Sequence, residues 1–407
     1  MRISTNQVFT QNINSMLAKQ NKTAQLVGQI SSGKKVNSAG DDPIAAIGIV
    51  NLNQQNKVID QYLRNINFAN HRLSLTESKF DMAENVIAAF RNRVLNVNNA
   101  GITDIGRKQI AAEMQEDLNT LLSIANDTDE SGNYLFSGFQ TDTKPFELDE
   151  NNNIRYNGDN GVRHASLAYA AEVAVNVNGE QAFMTAENSI GNFSPSYDVE
   201  QAGEFYIETA RIFDEQNYNN NGLNDYRLSF FDNGNNTLEL MIINPDPNAA
   251  NNIVGRIRPF DSAIPINIHG VEITISGEPK VGDSVEMSYQ NNINIFDVMQ
   301  STVELVDDGF VQTPYGRSEI KKIIGNIDNA VEKLSVSRTR VGNNLKQLDG
   351  FTSRFNEEKV VNANALSILE DLDYSVAISE LEEQKFALNA ISSVIGRVGS
   401  ISLFDYL

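Results

Sequence analysis

The chain has 407 residues, a formal charge of −21 and a pI near 4.6, with 41% hydrophobic and 21% charged residues. One hydrophobic core seldom grows past about 250 to 300 residues, so several are expected, and the acidic balance excludes a nucleic-acid binder, which would need clustered Lys and Arg. The absence of cysteine excludes disulfides, thiolate metal sites and cysteine nucleophiles.

Residues 6 to 31 carry Phe9, Ile13, Met16, Val27 and Ile30 at heptad spacing, with Gln20 and Thr23 interrupting the same rows. A helix with so leaky a seam gains little by itself, which predicts disorder in the free subunit. From about residue 60 the pattern strengthens. Ile59, Ile66, Leu73, Phe80, Ile87 and Val94 repeat every seven residues, and Tyr62, Ala69, Thr76, Ala83, Phe90 and Val97 fill the companion row. This predicts a long helix packed at a shallow angle and ended by Gly101. A second helix from about Asp104 puts Ala111, Met114, Leu118, Leu121 and Ala125 on one face and closes a helical hairpin. After Ser131-Gly132, Tyr134-Leu135-Phe136 reads as a short buried strand or bend.

Between about 140 and 290 strand signals replace the helical period. Val173, Val175 and Val177 alternate with polar or small residues; Tyr226 to Phe231 and Leu238 to Ile243 flank Asp232-Asn233-Gly234-Asn235, a hairpin signal. Ile266, Ile268, Ile273 and Ile275 frame a second turn at His269-Gly270. One helix is expected near 199 to 214. After Asn294 the helical period returns with Phe296, Met299, Val303 and Val306. A long helix then carries Ile320, Ile327, Leu334, Val341, Leu348 and Phe355 every seven residues, with Ile324, Val331 and Leu345 beside them. Near the C-terminus Tyr374, Leu381, Leu388 and Ile395 form one row and Ala377, Gln384, Ile391 and Val398 another, a second leaky seam.

The expected fold class is multidomain α plus β. Terminal coiled-coil helices (1–40 and 370–407) and a long helical bundle (41–145 and 294–369) form an elongated rod, and a β-rich insertion domain (146–293) occupies the middle of the chain. The strong rows read as an intramolecular core. The weak terminal rows, with little else to cover them, read as an assembly interface: Phe9, Ile13, Met16, Val27, Ile30, Tyr374, Leu381, Leu388, Ile391, Ile395 and Val398.

No motif carries catalysis, a cofactor or a metal. Gly28 to Lys34 matches most of a phosphate-binding loop, but Lys35 stands where a Ser or Thr is needed, so a turn after the first helix is the better reading. Asp127, Asp129, Ser131 and Gly132 open like a calcium loop, yet the twelfth position is Gly138; Asn217, Asn219, Asn221 and Gly222 end on Leu228. Both read as Asx and glycine turns. His71, His164 and His269 are dispersed. No run approaches the ~18 consecutive apolar residues of a membrane span, and no apolar signal-peptide core appears near the start.

Met1-Arg2-Ile3-Ser4-Thr5, with Ile30-Ser31-Ser32-Gly33-Lys34-Lys35-Val36-Asn37-Ser38-Ala39-Gly40-Asp41-Asp42-Pro43, resembles the N-terminal signature of the bacterial flagellin superfamily. Pro43 after paired aspartates, Gly132-Asn133-Tyr134-Leu135-Phe136-Ser137-Gly138, and Ser402-Leu403-Phe404 resemble the branch lying between hook and filament more than flagellin itself, the alternative being a filament-forming flagellin. The resemblance implies a structural subunit, not an enzyme, needing no cofactor. It would be exported without a cleaved signal peptide through the flagellar type III apparatus and would end outside the cell. Implied partners are further copies in a homo-oligomer ring, the first hook-associated protein on the hook side, flagellin on the filament side, and an export chaperone beforehand.

Overall fold

The computed structural model describes residues 5–98, 101–149, 153–232, 234, 237–246 and 253–400. Met1 to Ser4, Asn233, Asn235, and Ser402 to Phe404 lie outside the described residues, as do the side chains of Phe9 and Val398.

Three helices open the chain: α1 (Thr5–Ser32), α2 (Pro43–Val97) and α3 (Asp104–Ala125). A strand-rich stretch follows with β1 (Phe146–Leu148), β2 (Ile154–Tyr156), β3 (His164–Ala168), β4 (Ala171–Ala174), α4 (Gly179–Phe183), β5 (Ala186–Glu187) and β6 (Phe193–Tyr197). It continues through β7 (Glu204–Ile212), α5 (Glu215–Asn221), β8 (Asp225–Asp232), β9 (Leu238–Ile243) and β10 (Ile253–Ile257). It closes with β11 (Ile266–Ile268), β12 (Val271–Glu278), β13 (Ser284–Tyr289) and β14 (Asn292–Ile293). Helices α6 (Ile295–Asp307), α7 (Pro314–Glu370) and α8 (Tyr374–Ser400) complete the order, so long helices flank a sheet-rich middle. The chain divides into two compact units, residues 1–65 with 350–407 and residues 66–349.

In the larger unit the seven-residue rows become the core. Ile66, Leu73, Phe80, Ile87 and Val94 of α2 and Ile320, Ile327, Leu334, Val341 and Leu348 of α7 are buried, as are Met114, Leu118 and Leu121 of α3. Each such side chain contributes roughly 1.5–3 kcal/mol by leaving water. Helix α3 starts where Thr103 accepts the Gly106 amide, and it returns beside α2, whose Arg93 Nε donates to Glu113 at 3.0 Å. Tyr134 to Phe136 form a bend, and Phe136 drops into an aromatic cluster with Phe80, Phe146, Phe183 and Phe296 at centroid separations of 5.2–6.2 Å.

Eight of these strands form a sandwich. A five-stranded antiparallel sheet in the order β10-β9-β8-β13-β6 and a three-stranded sheet, β11-β12-β7, enclose one core containing Phe193, Phe205, Ile207, Tyr226, Leu228, Leu240, Ile273 and Met287. The predicted hairpins are β8–β9, with Asp232 opposite Leu238, and β11–β12, with Ile268 opposite Val271. His269 (φ 49°) and Gly270 (φ 83°) turn the second with the two positive dihedrals a two-residue hairpin requires.

Three expectations need correction. The helix expected near 199–214 is strand β7, because Phe205 and Ile207 alternate inward and the backbone pairs with β12; a bulge between Thr274 and Ile275 of the partner brings Ala210 inward as well. Asn217, Asn219 and Asn221 form a short helix rather than turns, capped by Asp214 accepting the Asn217 amide. The helix expected from about residue 60 starts at Pro43, because Asp42 caps the first turn.

Candidate assembly surface

The smaller unit holds α1, α8, the first part of α2 and the last part of α7. Its architecture rests on two chain reversals clasped together. Helix α1 stops because Gly33 adopts φ +73°, and its amide donates to the Gln29 carbonyl at 2.9 Å, a left-handed C-terminal cap. A Cβ at Gly33 would sit 3.0 Å from the Tyr374 hydroxyl, so close approach as well as dihedral requires glycine.

The following segment is tied to the α7–α8 junction. The Lys35 amide donates to the Glu370 carbonyl and the Leu372 amide donates to the Gly33 carbonyl, so the backbone at Lys34 and Asp371 forms an isolated antiparallel β-bridge, and the Lys34 ammonium pairs with Glu370. The end of α1 therefore meets the start of α8, and the two helices pack along each other antiparallel.

The paired aspartates have separate tasks. Asp41 Oδ2 accepts the Asn37 and Ser38 amides and the Ser38 hydroxyl, while Oδ1 accepts from Gln25 at 2.7 Å. The Ser38 amide first, then Gln25, hold its carboxyl below the ordinary range. Asp42 Oδ1 accepts the Ile44 and Ala45 amides, an N-cap followed by Pro43 at the first helical position, where its missing N–H has no cost. That is why α2 begins here. Asp373 caps α8 in the same way through the Ser375 and Val376 amides.

The expected interface residues divide into two sets. On α8, Ala377 is buried and Leu381, Gln384, Leu388, Ile391 and Ile395 are half-buried, the stripe least open to solvent at three-to-four spacing, while Tyr374 is half exposed. On α1 the corresponding side holds Met16, Thr23, Leu26 and Ile30, with Leu26 buried; Ile13 and Val27 are exposed on another side. The structure thus brings Met16, Ile30, Leu381, Leu388, Ile391 and Ile395 to the sides that close within one chain, and leaves Ile13 and Val27 open.

Sequence reasoning missed an apolar set turned to solvent. Leu17 on α1, Ile44, Ile47 and Val50 on α2, Val360, Val361 and Ile368 on α7, and Val376, Ile378, Phe386 and Val394 on α8 are exposed, Ile44 at 84% and Phe386 at 77%. Their signal was the Asp-Pro cap, which extends α2 back to residue 43, and the faces of α8 outside its main rows. Apolar side chains at this density on one small unit make it the candidate association surface.

The near-miss motifs resolve as structure. Gly28 to Lys34 is the end of α1 and its cap. Asp129 accepts the Ser131 and Asn133 amides and pairs at 2.6 Å with Arg72, which is buried, so the loop is stapled to α2. Among the described residues no group of His, Asp or Glu has the arrangement of a metal site, and no helix is long and apolar enough to cross a membrane.

The family model described as the bacterial flagellin N-terminal helical region matches residues 3–141. The flagellar hook-associated protein 3 of Salmonella typhimurium is 33% identical over 147 residues, 36% of this chain and 46% of that relative, so the match spans about half the relative's length. Flagellin C of Vibrio anguillarum is 23% identical over 324 residues, 77% of this chain and 81% of the relative. Among solved structures, flagellar hook-associated protein 3 from Legionella pneumophila aligns with a TM-score of 0.68 at 25% identity, covering 79% of this chain and 98% of that one.

Proposed function

We propose that this chain, which carries the bacterial flagellin N-terminal helical region on the fold of the hook-associated protein 3 structures, is a structural subunit of the flagellum at the junction of hook and filament. The observation that carries the reading is the apolar surface of the smaller unit, where Ile13, Val27, Ile44 and Phe386 stand exposed around a clasped helix pair. A soluble subunit keeps such a surface only for neighbours.

The mechanism is assembly through the terminal helices. The α1–α8 seam is shallow and carries Thr23 and Gln384, so it gives little stability to an isolated subunit and gains it when neighbours cover the outer faces. Burial there offsets the ordering of roughly 1 to 2 kcal/mol per residue. Phe9, Ile13, Met16, Val27, Ile30, Tyr374, Leu381, Leu388, Ile391, Ile395 and Val398 remain the proposed interface, with the inner members holding the pair together and the outer members meeting other subunits. Copies would close into a ring, with the first hook-associated protein below and flagellin above. An export chaperone would hold the C-terminal helix before secretion, and the finished subunit would lie outside the cell, without enzymatic activity.

The test is deletion of the gene in its own host, with the wild-type gene restored in trans. The reading requires hooks without filaments and flagellin shed into the medium, both reversed by the restored gene. Filaments built from this chain itself, seen by immunogold labelling along their length, would show it to be a flagellin instead.

A further inference from the structure

The sequence holds five Asn-Gly pairs, at Asn157, Asn160, Asn178, Asn221 and Asn233. Such a pair can lose ammonia when the glycine nitrogen attacks the asparagine side-chain carbon, because glycine lacks a Cβ to obstruct the approach. The reaction needs a glycine nitrogen released from hydrogen bonding and an asparagine side chain with room to swing toward it.

The fold withholds one or both conditions at three of the four pairs whose two residues are both described. The Gly179 amide donates to the Phe136 carbonyl at 3.0 Å, and Asn178 is itself buried, its Oδ1 accepting from Gln181 as a helix cap. The Gly222 amide donates to the Tyr218 carbonyl at 2.6 Å. The Gly161 amide donates to Asp159 Oδ1 at 2.7 Å, and the Asn160 side chain accepts from Asn178. At Asn157-Gly158 both conditions are met. Asn157 is exposed, held by one side-chain bond to Glu147 at 3.0 Å, and among the described residues the Gly158 amide has no hydrogen-bond acceptor, although the amides of Asn157 and Asp159 on either side are bonded.

We propose that Asn157 is a built-in site of deamidation, the first of the four described Asn-Gly pairs to convert in the folded subunit. The Gly158 nitrogen attacks Asn157 Cγ, ammonia leaves, and a five-membered imide forms; water then opens it to aspartate or to isoaspartate. Either product alters the adjoining turn. A carboxylate at 157 faces Glu147 in place of an amide donor, and like charges repel. Isoaspartate also lengthens the backbone just before Asp159, whose carboxylate accepts the Phe139 and Gln140 amides and whose own amide donates to the Ser137 carbonyl. The turn that fastens residues 137–140 is loosened by the reaction.

The experiment is timed incubation of the folded full-length protein at mildly alkaline pH, with peptide mapping by mass spectrometry and isoaspartate detection at each Asn-Gly pair. The same protein in denaturant serves as the reference for intrinsic rates. In the folded protein Asn157 should convert about tenfold faster than Asn178 and Asn221, whose glycine amides must first break a bond, and the gap should close in denaturant. Asn157→Gln should remove the early isoaspartate signal while leaving the slower sites unchanged. Conversion at Asn178 or Asn221 as fast as at Asn157 in the folded state, or an Asn157 stable while its denatured counterpart reacts, would overturn the proposal.

Discussion

Single residues in this molecule do unequal work, and the reversals show it most sharply. Gly33 meets two demands at once, a left-handed dihedral and the nearby Tyr374 hydroxyl. Gly33→Ala should therefore cost about 1–2 kcal/mol, measured as a lower urea midpoint for the exchange-protected amides of the smaller unit. Arg72 and Asp129 make a second such point, an arginine only 3% exposed whose partner is the loop carboxylate. Burial pushes the Asp129 carboxyl up, but the Asn133 and Ser131 amides and the Arg72 charge outweigh it, so its folded value lies below 3.8. A depressed carboxylate stabilises the fold above the unfolded value, and that contribution is lost as pH falls through the folded one. Asp129→Asn should cost on the order of 3 kcal/mol at neutral pH by stranding a buried guanidinium. Its urea midpoint should also fall less steeply than the parent's as the solution is taken to about pH 3; parallel acid curves for the two proteins would refute this.

Among elements, the contrast lies between the strong and weak heptad rows. Along α2 and α7 every member of the principal rows is buried, so Leu334→Ala should cost about 2–5 kcal/mol in a denaturant titration. Along α8 the inner stripe is only half-buried apart from Ala377. Opening free energy follows buried apolar contact, so amides of residues 10–30 and 378–395 should exchange in the monomer well ahead of those at 66–94 and 320–348. Equal protection throughout would show that the terminal pair needs no neighbours, and the assembly mechanism would fail with it. The sandwich behaves differently, since its two sheets share one closed aromatic and aliphatic core and ask nothing of a partner.

For the whole molecule, the question is which apolar groups belong to folding and which to association. Phe386 stands 77% exposed on the side of α8 opposite its inner stripe, so Phe386→Ser should leave the monomer's urea midpoint within about 0.5 kcal/mol. Assembly should nonetheless fall, read as failure to restore filaments in the deletion host although secreted subunit is detected. Normal filament growth with that variant would remove Phe386 from the interface. The formal charge of −21 adds a general repulsion between copies, so association should strengthen as salt is raised.

The sequence alone determined the parts of this protein whose physics is local or strictly periodic. Ile59 to Val94 and Ile320 to Phe355 announce long helices because one apolar stripe every seven residues has a single way to be buried. The β8–β9 and β11–β12 hairpins follow from turn residues flanked by strand formers, and Asp42-Pro43 marks the start of α2 well before the stronger rows that begin near residue 60. Tertiary structure decided the rest. Beside Leu26, which is buried, Val27 is exposed, a choice that a weakly amphipathic helix cannot make without its partner. Residues 204–212 form a strand because β12 offers backbone partners and Phe205 and Ile207 a closed core, interactions that no local window contains. The terminal rows could serve a neighbour or the same chain equally well by pattern. The clasp from Gly33 to Leu372 places α1 beside α8, and this contact between residues more than 300 positions apart fixes which side turns inward and which stays open to solvent.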